Sequence, residues 1–385
     1  MNILIVSSAP KLREGGVAGV VYNLAHELEK LGHTVVCLFR EDVLDRPVFP
    51  RRLENVYFAA RVARYILRDP GRFSVVNIHA PGGFVYGLLR RFLASDKCPP
   101  YVMTLHGLEE RRVYAMGREA KKGRAWYFSL KNRLWHRLYH QPTYRFSIKT
   151  ADEAICLNRE TWSALQLKYK LESDQVWYIP NGVSPEFFIE RGYHPQRASR
   201  LLYVGTWLDH KGVYYLRDAF HALAAQEPSL RLTVAGCLAP PEQVKSLFDP
   251  AVHSRIDVLP FVAAAEMPAL YAKHDIFVFP SLMEGMPLVL LEAMATGMPV
   301  VTTETCGMMD VVQDGLQGLL VPVANATALA EAILRLVECP DLRRRLGQAA
   351  QESIRRYTWD QVARRVEKVF TLAAQNGKRP RRNRP

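Results

Sequence analysis

The sequence predicts an α/β protein made of two doubly wound domains, each a parallel sheet with helices on both faces. Short apolar strands alternate with helical segments along most of the chain. That alternation breaks once, near the middle. The length of 385 residues suits about two or three domains of roughly 150 residues each. Apolar residues make up 49% of the chain and charged residues 23%, so two cores can be filled and disorder is excluded.

The first strand is Asn2–Val6, short and apolar. A glycine-rich turn follows with Glu14, Gly15 and Gly16. Val17, Val20, Val21, Leu24, Leu28 and Leu31 then recur at helical spacing until Gly32 ends the helix. Strand signals return at Thr34–Phe39, Val75–His79, Tyr101–Leu105, Ala154–Leu157 and Val176–Ile179, with helical segments between them. Prolines, a glycine and charges interrupt the pattern around Ser184–Arg200. The expected layout is therefore a first domain over 1–184, a linker over 185–199 and a second domain over 200–357. In the second half, Arg200–Val204, Leu230–Ala235, Ile256–Leu259, Ile276–Pro280 and Pro299–Thr303 read as strands. From Thr327 the pattern is helical through Ala374. Ligands of doubly wound sheets bind beyond the carboxyl ends of the strands.

No run of about 18 apolar residues predicts a spanning helix. The start of the chain lacks the basic region and apolar length of a signal peptide. The six cysteines, Cys37, Cys98, Cys156, Cys237, Cys306 and Cys339, are scattered without metal-ligand spacing, which fits a reducing cytosol. The expected location is cytoplasmic. The net charge of +13 is concentrated: Glu110–Lys149 carries +9 and Gly377–Pro385 carries +5, leaving the rest near neutral. Such patches suit a polyanionic partner.

The strongest chemical signal is the run Pro280 to Pro299. A buried strand ends at Pro280, a short loop carries Glu284 and Gly285, and Pro287 stands where a helix begins. Leu288, Val289, Leu290, Leu291, Ala293 and Met294 make that helix apolar almost all round, hence buried. Glu292 is the exception, and a buried carboxylate needs partners. Vicinal ribose hydroxyls would serve; a neighbouring Arg or Lys is the structural alternative. The N–H groups of Gly285, Met286 and Leu288 beside Pro287 suit a diphosphate. For Glu284 and Lys211 the plain alternative is an exposed loop residue. For His106 it is a histidine satisfied in the core.

This run resembles the Glu-x7-Glu signature of retaining nucleotide-sugar glycosyltransferases of the GT-B fold, family 4 (glycosyl transferases group 1). Glu284 and Glu292 stand at its two acidic positions. Other segments resemble the family in the same order: Gly15-Gly16, Thr104-Leu105-His106-Gly107, Asn181-Gly182-Val183, Leu202-Tyr203-Val204-Gly205, Lys211-Gly212, Cys306-Gly307 to Asp314-Gly315, and Gly318 to Val321. The resemblance implies two Rossmann-like domains facing across a cleft, with a final helix at 358–375 packing back on the first. It implies a nucleotide-sugar donor, a glycan or lipid-linked glycan acceptor, retention of configuration, and no metal or other cofactor. UDP-sugar is the expected donor. Lys211, Glu284 and His106 would be catalytic. Gly15, Gly16, Gly205, Thr206, Lys211, Gly285, Met286, Pro287, Leu288 and Glu292 would bind the donor, and Glu14 would approach the acceptor. Where the family usually has an arginine after the glycine at 205, this chain has Thr206, which removes one expected phosphate cation.

Trp126, Tyr127, Phe128, Trp135, Tyr139, Tyr144 and Phe146 interleave with Lys and Arg in Glu110–Lys149. Tyr127, Leu130, Leu134 and Leu138 form one helical stripe, with Lys131, Arg133 and Arg137 elsewhere around it. Trp126, Arg133, Trp135 and Arg137 are the candidate contacts to acceptor or membrane. An amphipathic basic helix suits the anionic cytoplasmic face of a membrane; a core-facing stripe is the alternative. No nucleic-acid module is recognisable. The basic tail is expected to be disordered. The rival readings are a nucleotide-sugar epimerase on the same fold and a non-catalytic nucleotide-sugar or membrane scaffold.

Overall fold

The computed structural model describes residues 1–376 apart from 13–15, 45, 47, 51–52, 94–97, 125–128 and 194–197, and the side chain of Leu130. Glu14, Gly15, Trp126, Tyr127, Phe128 and the basic tail therefore lie outside the described residues. The chain forms two compact units. The described residues among Met1–Glu110, Ser129–Asn181 and Trp359–Pro385 make one, and those among Arg111–Phe128 and Gly182–Thr358 make the other.

The first unit holds a six-stranded sheet: β1 (Asn2–Val6), β2 (Thr34–Leu38), β3 (Val75–His79), β4 (Tyr101–Leu105), β5 (Glu153–Cys156) and β6 (Val176–Tyr178). Their order is β2-β1-β3-β4-β5-β6, and every pairing is parallel. Parallel strands buried on both faces read as near-continuous apolar runs, as residues 3–6 of β1 do. Leu4, Val6, Val76, Ile78, Met103 and Leu105 are fully buried in one core with Phe58, Val62 and Ile66 from the helix Glu54–Arg68. The last helix, Trp359–Asn376, packs on the helix Gly16–Lys30 and reaches β3 and β4. His33 Nε2 lies 2.8 Å from Glu367 Oε1 in that packing.

The second unit repeats the design with β7 (Arg200–Val204), β8 (Arg231–Ala235), β9 (Ile256–Leu259), β10 (Ile276–Phe279), β11 (Val300–Thr303) and β12 (Leu319–Val321). The order is β12-β11-β10-β7-β8-β9, again all parallel. From β7 the chain winds outward through β8 and β9. It then returns to β10 and winds the other way. The winding sense therefore switches between β7 and β10, the position at which doubly wound sheets bind their ligands.

Three expectations change. The helical stretch after Thr327 is three helices, Ala326–Glu338, Pro340–Ile354 and Trp359–Asn376. Pro340 cannot donate an N–H to continue the first of these. β12 was not read as a strand; it is only three residues long. The block 1–184 is not continuous either, because Arg111–Arg124 belongs with the second unit. Its helix, Glu109–Lys121, buries Glu119 against the helix Val213–Gln226, where Tyr215 OH donates to Glu119 Oε1 at 2.6 Å. Lys122 Nζ donates to Tyr215 OH at 2.6 Å, and the Arg124 guanidinium lies 4.8 Å from the Tyr214 ring centroid. These contacts hold that segment on the second sheet's helices.

Candidate active site

In the second unit the two loops at the winding switch carry the expected donor residues. After β7, Gly205 has φ +150°, a conformation that favours glycine. Thr206 follows, its carbonyl accepting from Tyr203 OH at 3.3 Å. The loop ends in a single turn, Asp209–Lys211. Gly212 closes it at φ +76°, and a Cβ there would stand 1.9 Å from the Pro280 carbonyl oxygen. Only glycine lets the β7 loop lie so close to the end of β10. Leu282 N–H donates to the His210 carbonyl at 2.8 Å and stitches the loops together.

That stitching brings Lys211 to Glu284. Lys211 Nζ donates to Glu284 Oε1 at 2.6 Å, with side-chain exposures of 18% and 13%. Neither residue is therefore an ordinary exposed loop side chain. Ser281 Oγ donates to the same oxygen at 2.8 Å. Lys211 Nζ also lies 5.7 Å from the Phe279 ring centroid, an apolar wall that strengthens its field. His210 is pushed down to about 4 by burial, with Lys211 and Arg112 adding to the effect and Glu284 opposing it. Arg112, from the helix Glu109–Lys121, thus brings positive charge to the loop in which Thr206 replaces the family's arginine.

Glu292 stands apart from that pair on the short helix Leu288–Ala295, whose N-cap is Pro287. Met286 is buried, and Gly307 packs so tightly on Gly285 that an added Cβ would sit 2.0 Å from the Gly285 carbonyl oxygen. Leu290, Leu291, Ala293, Met294 and Ala295 are buried, while Leu288, Val289 and Glu292 are partly exposed. The described residues place no Arg or Lys against Glu292. Its Oε2 accepts from Tyr271 OH at 2.9 Å. Burial raises its carboxyl to about 7, the Tyr271 hydrogen bond opposes the rise and Glu186 adds to it. Among the described residues the ion pair offered as the alternative for Glu292 does not form; the desolvated carboxylate has room for further donors. Tyr271 was missed in the sequence because nothing marks a tyrosine on another helix as its partner.

In the first unit Gly16 begins the helix after β1 and is exposed. His106 follows β4 directly and is partly exposed. Its Nε2 lies 2.8 Å from Nδ1 of His79, the last residue of β3. Burial pushes His106 down to about 4. His79 was not singled out in the sequence, although a polar residue at the end of an apolar strand beside His106's strand was a readable signal.

The described side chains of the basic segment's stripe, Leu134 and Leu138, are not in the core. Leu130–Trp135 and Gln141–Thr150 are helices joined by a π-helical turn, His136–His140. Leu134 and Leu138 are 56% and 67% exposed, and Lys131, Arg133 and Arg137 are exposed beside them. Trp135 is partly buried and stacks on Tyr139 at 4.7 Å between centroids. Among the described residues no group of three or more His, Cys, Asp or Glu could hold a metal ion, and no helix is long and apolar enough to cross a membrane.

Comparison with known proteins agrees with this architecture. The family model for glycosyltransferase family 4 matches residues 14–187, and that for glycosyl transferases group 1 matches residues 186–353. An uncharacterized glycosyltransferase of Methanocaldococcus jannaschii is 25% identical over 83% of this chain and 81% of its own length. A phosphatidyl-myo-inositol mannosyltransferase of Mycobacterium leprae is 31% identical over 57% of this chain and 60% of its own. The solved sucrose-phosphate synthase of Thermosynechococcus elongatus superposes with a TM-score of 0.77 at 20% identity, covering 96% of this chain and 98% of that one. An Anabaena protein solved with UDP and glucose, HepE, gives 0.68 at 18% identity over 96% and 99%. With both halves matched in order and the fold shared throughout, the chain belongs to the family 4 (group 1) glycosyltransferases of the GT-B fold.

Proposed function

We propose that the chain is a retaining, metal-independent glycosyltransferase that moves a hexose-type sugar from a nucleotide diphosphate sugar to a hydroxyl of a glycan or glycolipid. The Lys211–Glu284 pair at the winding switch, with Glu292 on the helix that follows, is the observation that carries this reading. Negative charge builds on the leaving diphosphate as the glycosidic bond breaks, and preorganised positive charge stabilises it. Lys211 exchanges Glu284 for the diphosphate, so Glu284 is released to accept hydroxyls of the sugar. Glu292 accepts the ribose hydroxyls. The leaving phosphate helps take the acceptor proton on the same face, which retains the configuration. Lys211, Arg112 and the N-terminus of Leu288–Ala295 together serve as the phosphate's counter-charge.

A UDP-sugar is the favoured donor; HepE, solved with UDP-glucose, supports it at the level of fold. Relatives named phosphatidyl-myo-inositol mannosyltransferase and D-inositol 3-phosphate glycosyltransferase support an anionic, hydroxyl-rich acceptor. The exposed Leu134 and Leu138 beside Arg133 and Arg137 suit docking on an anionic membrane surface, in keeping with cytoplasmic synthesis of envelope polysaccharide.

The test is thermal stability with UDP, GDP, ADP and their sugars, for the wild type and Glu292→Ala. A ligand at about 100 times its Kd stabilises by about 2.7 kcal/mol. One nucleotide series should raise the midpoint, and Glu292→Ala should remove the effect. No response in any series would defeat the donor assignment. With the donor known, the anomeric configuration of the product tests retention, and turnover in a chelator tests independence from metal.

A further inference from the structure

Asn77 and His79 lie two apart on β3, so their side chains leave the same face of the sheet. They are 0% and 1% exposed. Asn77 Nδ2 donates to the Val102 carbonyl at 3.2 Å and to Thr104 Oγ1 at 2.9 Å. A main-chain carbonyl only accepts, so the amide nitrogen is fixed on that side and Oδ1 is left for His79. His79 Nε2 lies 3.1 Å from Asn77 Oδ1 and must donate to it. Burial, together with the neighbouring His106, holds His79 far below its ordinary range and so neutral. A neutral ring protonated on Nε2 offers Nδ1 only as an acceptor. His106 Nε2, 2.8 Å from that Nδ1, is then the donor. Since burial also keeps His106 neutral, its own Nδ1 carries no proton.

We propose that Asn77 and His79 are positioning residues that lock His106 in its Nε2–H tautomer, so that it offers Nδ1 to a substrate hydroxyl as a hydrogen-bond acceptor. The nature of the substrate rests on the function proposed above; the tautomer does not. An acceptor at this point selects a sugar with a free hydroxyl over its deoxy or O-methyl analogue, which leaves the lone pair unsatisfied. The relay works through His106 alone. Asn77 and His79 need not touch substrate.

The tautomer is read from long-range proton–nitrogen spectra of the 15N-labelled full chain, with His106→Gln used to assign the ring signals. The wild type should show His106 protonated on Nε2 and bare on Nδ1. His79→Leu removes the acceptor and should release His106 into a mixture of tautomers. His79→Gln can donate to Asn77 and accept from His106 through one amide, and should restore the single tautomer. With the nucleotide sugar that binds, His79→Leu should lower kcat about tenfold, the scale of one oriented hydrogen bond, with KM for the donor unchanged. His79→Gln should recover most of it. A wild-type His106 protonated on Nδ1, or a His106 tautomer indifferent to His79→Leu, would overturn the proposal. The wild-type spectrum decides this even if His79→Leu does not fold. If the chain transfers no sugar, the ring spectra still judge the relay while the proposed function falls.

Discussion

If Glu292 holds the donor's ribose, as proposed above, donor binding should depend on pH through its raised carboxyl. Its carboxyl is raised to about 7, first by burial, with Tyr271 OH as its bonded partner and Glu186 as a further like charge. Two ribose hydroxyls donating to it would favour the charged form, so the bound state holds the anion and binding below pH 7 expels a proton. At pH 6 about nine-tenths of the free chain would carry that proton, and affinity would fall by about elevenfold from its high-pH limit. At pH 8 the loss is about a tenth. Donor affinity should therefore rise about tenfold from pH 6 to pH 8, or about 1.4 kcal/mol. The assay is titration calorimetry in buffers of different ionisation enthalpy, which counts the released proton. The ligand should be the nucleotide sugar, because a free terminal phosphate titrates near pH 6 itself. Glu292→Gln should flatten the dependence. A constant Kd across this range, or an equal slope in Glu292→Gln, refutes the reasoning.

The same group affects the unliganded fold with the opposite sign. A carboxyl raised in the folded state binds more protons there than in the unfolded chain between about pH 4.5 and 7. Its contribution to stability is thus lost as pH rises through that window, by at most about 3 kcal/mol. Part of the side chain reaches solvent, so the cost is smaller than full burial would impose. Glu292→Gln should raise the midpoint of the unliganded chain above pH 7 while weakening donor binding, a usual exchange between stability and function.

On the proposed function, Lys211→Met should lower kcat by about a hundredfold or more, since it would remove a charge facing the leaving phosphate; unchanged turnover would remove Lys211 from the site. Its stability should fall by about 1–3 kcal/mol, because among the described residues Glu284 then keeps only Ser281 as a bonded partner. Gly212→Ala should cost about 2–4 kcal/mol in urea unfolding, from positive φ and the clash with the Pro280 carbonyl, and should weaken donor binding with it. Leu134→Glu with Leu138→Glu should abolish flotation with anionic vesicles and leave the unfolding midpoint within a degree or two, since both side chains are exposed. Vesicle binding that survives this pair would place the membrane contact elsewhere.

The sequence was most legible where local chemistry is strong. Short apolar-rich strands alternate regularly with helices, so eleven of the twelve described strands were found within a residue or so of their ends. β12 escaped because three residues carry too little periodicity. The loop carrying Glu284 and the helix carrying Glu292 were legible because proline, glycine and an isolated carboxylate are each unusual in an apolar run. The partners were not. Tyr271 reaches Glu292 from another helix, His79 reaches His106 from a neighbouring strand, and Arg112 adds positive charge near His210 from about a hundred residues earlier in the sequence. Each of those meetings is set by sheet order, which spacing does not encode. The unit boundary at Arg111 was illegible for the same reason: Glu119 is buried by Tyr215, and nothing near Glu119 in the sequence announces it.

The two acidic residues of the signature, eight apart, acquire different chemistry from their surroundings alone. Glu284 lies on a loop against Lys211 and Ser281, so in the unliganded chain its charge is already matched. Glu292 lies on a helix among apolar side chains, with a phenol as its bonded partner and no cation against it among the described residues. Matching stabilises the first in place; desolvation leaves the second short of donors. On the proposed function, a ligand bearing both a diphosphate and a vicinal diol would answer both conditions at once, its phosphates taking Lys211 and its diol supplying donors to Glu292. A phosphate alone would break the Lys211–Glu284 pair without relieving Glu292, and a free sugar would do the reverse. On that reading the joined molecule should bind better than either part, which is the selectivity a donor site needs.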